Sequence, residues 1–263
     1  MEWGMKYRLS RMINPSNGRI LMLAVDHGYF QGPTTGLRDF SQNILPLIKF
    51  ADTLMITRGM VRTSVPPESG IPIMLRVSGG TSILSELSHE GLMTDIEDAL
   101  RLDACGITLS IFVGAPGERE SLLNLGRLVD LGNRYGIPVM AVTAVGRDMA
   151  RDARYLGLAS RIAVELGAHL VKTYFCEDFE QVVKAAPVPI VIAGGKKIPE
   201  KDALQMAASA LAAGAVGVDM GRNIFQADDP VAMIQAVRAV VHDGESAGRA
   251  FEMYQDLKGK TSV

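Results

Sequence analysis

Cysteine, histidine and tryptophan are all scarce in this chain of 263 residues, and each shortage removes a class of function. The two cysteines, Cys105 and Cys176, lie far apart and form no CxxC pair. A disulfide framework is therefore not expected, and reduced thiols of a cytoplasmic protein are the simplest reading. The four histidines, His27, His89, His169 and His242, show neither HxH nor HExxH spacing, so no metal ion is expected. Trp3 is the only tryptophan, no basic cluster is interleaved with aromatics, and the net charge is -2. That balance argues against nucleic acid or an anionic membrane as partner. The opening MEWGMKYRLSRMINP lacks the apolar centre of a signal peptide, and no apolar run reaches membrane-spanning length.

What is abundant is short apolar runs alternating with longer amphipathic stretches. The runs are ILMLAVDHG from Ile20, TLMITRG from Thr53, IPIMLRVSGG from Ile71 and CGITLSIFVG from Cys105. IPVMAVTAVG from Ile137, HLVKTYF from His169, PIVIAGGKK from Pro189 and GVDMGRN from Gly217 complete the set. Continuous Val, Ile, Leu and Met bounded by Gly or Pro suits parallel strands covered on both faces. Eight such strands in about 250 residues predict a single-domain (β/α)8 barrel over residues 1–263. A doubly wound open sheet would place a GxGxxG loop after the first strand. Here the first run ends in DHG, and the glycine-rich loops follow the seventh and eighth.

The intervening segments carry helix periodicity. Met149, Ala153, Leu156, Ala159, Ala163 and Leu166 recur at three- and four-residue intervals, with Arg151, Asp152, Arg154, Arg161 and Glu165 around the rest of the circumference. This predicts a helix from Met149 to Ala168 before the sixth strand. Further helices are expected from about Pro199 through Ala212, from Asp229-Pro230, where an N-cap precedes a first-turn proline, and after Asp243-Gly244.

In such a barrel the chemistry gathers at the C-terminal ends of the strands. Lys172 lies inside an apolar run, on the same face as Leu170 and Tyr174 by strand alternation. A lysine so placed is rarely a solvated surface group, and a neutral amine there attacks a ketone carbonyl to form an iminium. The bland reading is a structural ion pair inside the barrel. Asp26 and His27 end the first run, as candidates for moving protons or, equally, as a turn cap and a rim hydrogen bond. AGGKK and DMGRN read as a phosphate cradle: Gly194, Gly195 and Gly221 let backbone N–H groups approach an anion, and Lys196 and Arg222 add charge. NIFQ, after Arg222, would supply the short extra helix that often accompanies such a site. Arg58 and Arg76 end the second and third strands, where each is either an anion contact or a rim ion pair. SGGTS, from Ser78, is a turn or a binding loop.

Across nearly its full length the chain resembles the archaeal-type class I aldolase superfamily. The segments carrying the resemblance are WGMKYRLSRMINP, VDHGYFQGPTTGL, TRGMVRTSVPP, VKTYF, PVPIVIAGGKK, GVDMGRNIFQ and PVAMIQAVRAVVH. It implies a Schiff-base lysine at Lys172, Asp26 beside it, and phosphate held by Gly194, Gly195, Gly221 and Arg222. It also implies a homo-oligomer, by analogy a decamer. Fructose-bisphosphate aldolases and aminodideoxyheptulosonate synthases of this superfamily carry an acid/base tyrosine after the fifth strand. This chain has Ala144 and Val145 there, and neither moves a proton. The departure favours the branch that degrades phosphorylated autoinducer-2, in which coenzyme A as co-substrate cleaves a phosphorylated 1,3-dione without deprotonating a hydroxyl. Asp26 and His27 are then assigned the proton transfers. The alternatives are an aldolase acting on a ketose such as fructose 1,6-bisphosphate, and a non-catalytic sugar-phosphate-binding barrel.

Overall fold

The computed structural model describes residues 1–144 and 149–260. Each of the eight apolar runs forms a strand: β1 Ile20–Ala24, β2 Thr53–Thr57, β3 Ile73–Arg76, β4 Gly106–Ile111, β5 Val139–Thr143, β6 Leu170–Tyr174, β7 Ile190–Ala193 and β8 Gly217–Met220. They pair in parallel in chain order, and β8 returns to β1 with Ile20 opposite Gly217 and Leu23 opposite Met220, closing a (β/α)8 barrel. Closure brings backbones close at the seam. A Cβ on Gly217 would lie 1.8 Å from the Ile20 carbonyl oxygen, so only glycine fits there.

Strand alternation divides the buried residues between two cores. Leu21, Leu23, Leu54, Ile56, Leu75, Ile107, Leu109, Val171 and Ile192 point outward into the layer of helices. Ile20, Met22, Met55, Met74, Met140, Leu170 and Val191 point inward and fill the barrel. Unbranched methionine side chains adapt to the irregular space along the axis. The N-terminal arm forms a helix over Trp3–Met12, and Met12, fully buried, joins the inner core from below.

The helices predicted from about Pro199, from Asp229 and after Gly244 are present as Glu200–Ala212, Pro230–Arg238 and Ala247–Leu257. Asp229 caps the second of these by accepting a hydrogen bond from the Ala232 N–H. The helix expected from Met149 begins later and ends earlier, at Ala153–Glu165. The Asp152 side chain caps it by accepting from the Tyr155 N–H, which leaves Arg151 in the loop before it rather than on its solvated face. SGGTS is in part a strand: Ser78–Gly79 pairs antiparallel with Gly91–Leu92 in a small ribbon above β3. Among the described residues no helix is long and apolar enough to cross a membrane, and no group of acidic, histidine and cysteine side chains is arranged to hold a metal ion.

Candidate active site

Going up the barrel axis, the inward positions change from apolar to polar within one strand repeat. Met22 and Ala24 are followed by Asp26, Met74 by Arg76, Leu170 by Lys172 and Gly217 by Asp219. These polar side chains form the floor of a cavity of about 480 Å³ at the C-terminal end of the barrel. His27, Tyr29, Phe30, Glu90, Ser110, Phe112, Ala144 and Tyr174 line its walls.

Lys172 is buried, and its Nζ lies 2.8 Å from Oδ2 of Asp219 and 3.6 Å from the Met55 sulfur. Asp219 is shut away from solvent, and among the described residues neither of its oxygens has a partner in good hydrogen-bonding geometry. The short contact with Lys172 is therefore an ion-pair contact with poor alignment. Burial raises the Asp219 carboxyl to about 6 despite the opposing pull of Lys172, and the charge on Asp26 adds to the rise.

Asp26 is held differently. Arg76 Nε donates to its Oδ2 at 2.9 Å, and Arg76 Nη1 donates to the Ser110 hydroxyl at 2.9 Å. Burial by itself would raise the Asp26 carboxyl, but Arg76, with His27 and Lys172, outweighs it and leaves the group below the usual carboxylate range. Asp26 is close enough to Lys172 to feel its charge, yet its hydrogen bond goes to Arg76 and the lysine's ion pair goes to Asp219. Arg76 is thus a buried part of the site and not a rim residue. The network continues through Ser78, which donates to Glu90 at 2.6 Å, and Tyr29, whose hydroxyl donates to the other Glu90 oxygen at 2.5 Å. Arg58 lies elsewhere, sharing Asp98 with Arg62 and Arg101.

His27 packs its ring against Phe30 and Phe225, and among the described residues its buried Nδ1 has no hydrogen-bond partner. Burial pushes its imidazole down to about 4, against the attraction of Asp26. The ring is therefore neutral at pH 7. Above its unfolded value of 6.5 this contributes full stability. Between about 6.5 and 4 the unfolded chain binds a proton that the folded chain refuses, so stability falls with pH. Asp219 acts in the opposite sense: raised from 3.8 to about 6, it favours the folded state below 3.8 and loses that contribution as pH rises through 6. A His27→Asn variant should accordingly gain on the wild type by up to about tenfold in the folding constant per pH unit below 6.5. Urea unfolding at a series of pH values from 7 to 4.5 measures the difference. A difference independent of pH would mean that His27 does not titrate at the low value.

Gly194, Gly195, Lys196, Gly221 and Arg222 all line the cavity together, at the ends of β7 and β8. Gly195 has φ +69°, and a Cβ on Gly221 would approach the Ala24 carbonyl oxygen to 2.3 Å and His27 to 2.7 Å. Asn223 ties the two loops together: its Nδ2 donates to the Gly194 carbonyl at 2.6 Å and its Oδ1 accepts from the Ile198 N–H at 2.9 Å. The short helix Arg222–Phe225 follows, as the sequence suggested. Of the lysine pair, Lys197 is committed to Glu200 at 2.6 Å, which leaves Lys196 as the one lining the cavity. Arg222 has a buried Nε with no partner among the described residues. Burial lowers its pKa, and the charge of Arg151 lowers it further. The Arg151 guanidinium lies 4.0 Å above the Tyr174 ring and lines the same cavity. Two cations that line one cavity with the glycine-rich backbone suit a dianionic phosphate.

The sequence reading did not single out Asp219, Asn223 or Arg151 as site residues. Asp219 was open to the argument that found Lys172, because it too is a charged residue in the middle of an apolar strand. Of the two positions at the end of β5, Ala144 lines the cavity and Val145 lies outside the described residues.

A parallel barrel with an inward lysine on β6 and a phosphate-like cradle on β7 and β8 defines the class I aldolase type of site. In agreement, residues 20–227 match the model of the DeoC/LacD family aldolases, and the chain belongs to that family. It is 56% identical over 259 residues to a 3-hydroxy-5-phosphonooxypentane-2,4-dione thiolase of Enterobacter sp. (strain 638), covering 98% of this chain and 88% of that protein. A thiolase of the same name from Escherichia coli K12 is 55% identical over the same length, covering 98% and 89%. Among solved structures, an archaeal fructose-1,6-bisphosphate aldolase with its catalytic lysine covalently bound to the carbinolamine intermediate superposes with a TM-score of 0.81. It is 26% identical, and the match covers 90% of this chain and 99% of that one.

Proposed function

We propose that this enzyme of the class I aldolase superfamily is a coenzyme A-dependent thiolase. It cleaves 3-hydroxy-5-phosphonooxypentane-2,4-dione to dihydroxyacetone phosphate and acetyl-CoA through a Schiff base on Lys172. The observation that carries the reading is the placement of Lys172 Nζ on the floor of a cavity whose rim holds the Gly194, Gly195 and Gly221 backbone beside Arg222. The names of relatives at about 55% identity direct it to this substrate.

The substrate's phosphate sits against Arg222, Lys196 and the glycine loops, which sets its C4 carbonyl over Lys172. The amine attacks C4, water leaves, and an iminium forms. A coenzyme A thiolate then adds to the C2 carbonyl. When the C2–C3 bond breaks, its electron pair moves into the C3–C4 position and neutralises the iminium, giving an enamine and acetyl-CoA. Protonation at C3 and hydrolysis release dihydroxyacetone phosphate and return the lysine. No hydroxyl at the cleaved carbon has to lose a proton, so the Ala144 position needs no acid/base group. Asp26, kept anionic by Arg76, balances the iminium charge. His27 presents a neutral imidazole to the substrate above Gly221.

Purified protein incubated with the dione phosphate should form acetyl-CoA only when coenzyme A is present. With fructose 1,6-bisphosphate and no coenzyme A it should release triose phosphates at no more than a hundredth of that rate, a margin of about 3 kcal/mol in barrier. Efficient cleavage of the bisphosphate would make the protein an aldolase instead. Binding of both sugars without turnover would make it a non-catalytic barrel.

A further inference from the structure

We propose that Asp219 is a catalytic acid–base of this site, carrying the proton to and from the enamine carbon beside Lys172. The inference rests on the Schiff-base reading above and adds the group that completes it.

Once the acetyl group has left, the remaining chemistry is one proton placed on a carbon two bonds from Nζ. A group that delivers it must reach that carbon, must hold a proton when the enamine forms, and must be able to give it up. Asp219 lies 2.8 Å from Nζ, so the substrate atoms next to the nitrogen form within its reach. Among the described residues its oxygens have no hydrogen-bond donor besides the contact with Lys172, so the carboxyl is held in its anionic form chiefly by the lysine that is itself consumed in the iminium. Burial supports the same assignment by raising the carboxyl to about 6, close to the range where an acid both binds and releases a proton.

The neighbouring groups are less suited. Asp26 is tied to Arg76 at 2.9 Å and held as an anion, so it has no proton to donate. His27 is neutral, and burial disfavours the imidazolium that would act as the acid. The Tyr29 hydroxyl is committed to Glu90 at 2.5 Å. Lys172 thus stands between two carboxylates with different duties. One is locked in charge by an arginine, and the other is left free to change it.

The proton count closes. The Lys172 ammonium passes a proton to Asp219, and the freed amine attacks the ketone to give a carbinolamine. Asp219 returns the proton to the carbinolamine hydroxyl, the C–O bond breaks, and water leaves the iminium. In the cleavage, the Asp219 carboxylate takes up the proton given up by the coenzyme A thiol and delivers it to C3 of the enamine, which leaves Asp219 as the carboxylate again. In the reverse direction the Asp219 carboxylate removes a proton from C3 of bound dihydroxyacetone phosphate, and the C–H electron pair forms the enamine. That half-reaction needs no coenzyme A.

The test is therefore solvent exchange. Wild-type protein in D2O should replace one C3 proton of dihydroxyacetone phosphate with deuterium, followed by proton NMR, and borohydride should trap the ketone on Lys172. Asp219→Asn should still be trapped once the iminium has come to equilibrium, although more slowly, and should exchange at least 100-fold more slowly at that equilibrium, the usual contribution of a positioned acid–base. Asp219→Glu and Asp219→Gln, matched in length, repeat the comparison with and without a titratable carboxyl, and only the glutamate should restore exchange. Exchange by Asp219→Asn at the wild-type rate would overturn the inference and leave the Schiff base intact. So would a folded Asp219→Asn that cannot be trapped even after long incubation, because loss of exchange would then follow from loss of the imine alone. Absence of a trapped adduct in the wild type would overturn the Schiff-base reading itself.

Discussion

A Lys172→Met variant is expected to fold, to lose turnover by about 10⁴-fold or more, and to give no adduct when borohydride is added with dihydroxyacetone phosphate. The loss is large because the lysine does two things that no neighbour can replace. It forms the covalent bond to the ketone, and as an iminium it accepts the electron pair when the carbon–carbon bond breaks. Folding should survive for a reason specific to this site. Methionine matches the lysine stem and would rest against Met55, which already contacts Nζ. The partner left behind is Asp219, whose carboxyl burial has raised to about 6 even with the ammonium beside it. Without the cation it takes up a proton at neutral pH, and no bare anion remains inside the barrel. Mass spectrometry of the trapped protein, before and after proteolysis, locates the adduct. Turnover within tenfold of wild type, or an adduct on another lysine, would remove Lys172 from the chemistry.

The sequence exposed most of this arrangement, for physical reasons that also explain the remainder. All eight strands were legible because a strand covered on both faces must be apolar throughout, which leaves uninterrupted runs such as ILMLA and GITLSI. Lys172 was legible because a charge inside such a run is anomalous. The cradle was legible because glycines at Gly194 and Gly221 mark backbone that approaches something closely. Pairing within the site was not legible. Whether Asp26 meets Lys172 or Arg76 depends on how β1, β3, β6 and β8 face one another across the barrel, and each strand alone is silent on that. Arg151 was assigned to a helix face because the apolar period runs back to Met149. Asp152 caps the helix, which therefore begins at Ala153, four residues later than that pattern predicts.

The same difference between the two carboxylates sets the expected outcome at Arg76. Replacing Arg76 by methionine should destabilise the protein by about 3–5 kcal/mol, the usual result of removing one partner from a buried ion pair. In a domain of this size that lowers Tm by roughly 6–20 °C. The Arg76 and Asp26 side chains are about equally buried, at 5% and 6% exposure, so water cannot take over the lost bond. The Ser110 hydroxyl would lose its 2.9 Å partner as well. Asp26 differs from Asp219 in that the native site holds it firmly ionised, so protonating it is a cost that the variant must bear. Asp26→Leu should be destabilised to a similar degree, because an arginine cannot shed its charge. The double variant, Arg76→Met with Asp26→Leu, should recover a large part of the loss, since a packed apolar pair often replaces a buried ion pair at little cost. Denaturant unfolding of the four proteins gives the coupling energy directly. Additive losses in that cycle would mean that Arg76 and Asp26 are held by their other neighbours. Asp26 would then have no arginine lock to separate its behaviour from that of Asp219.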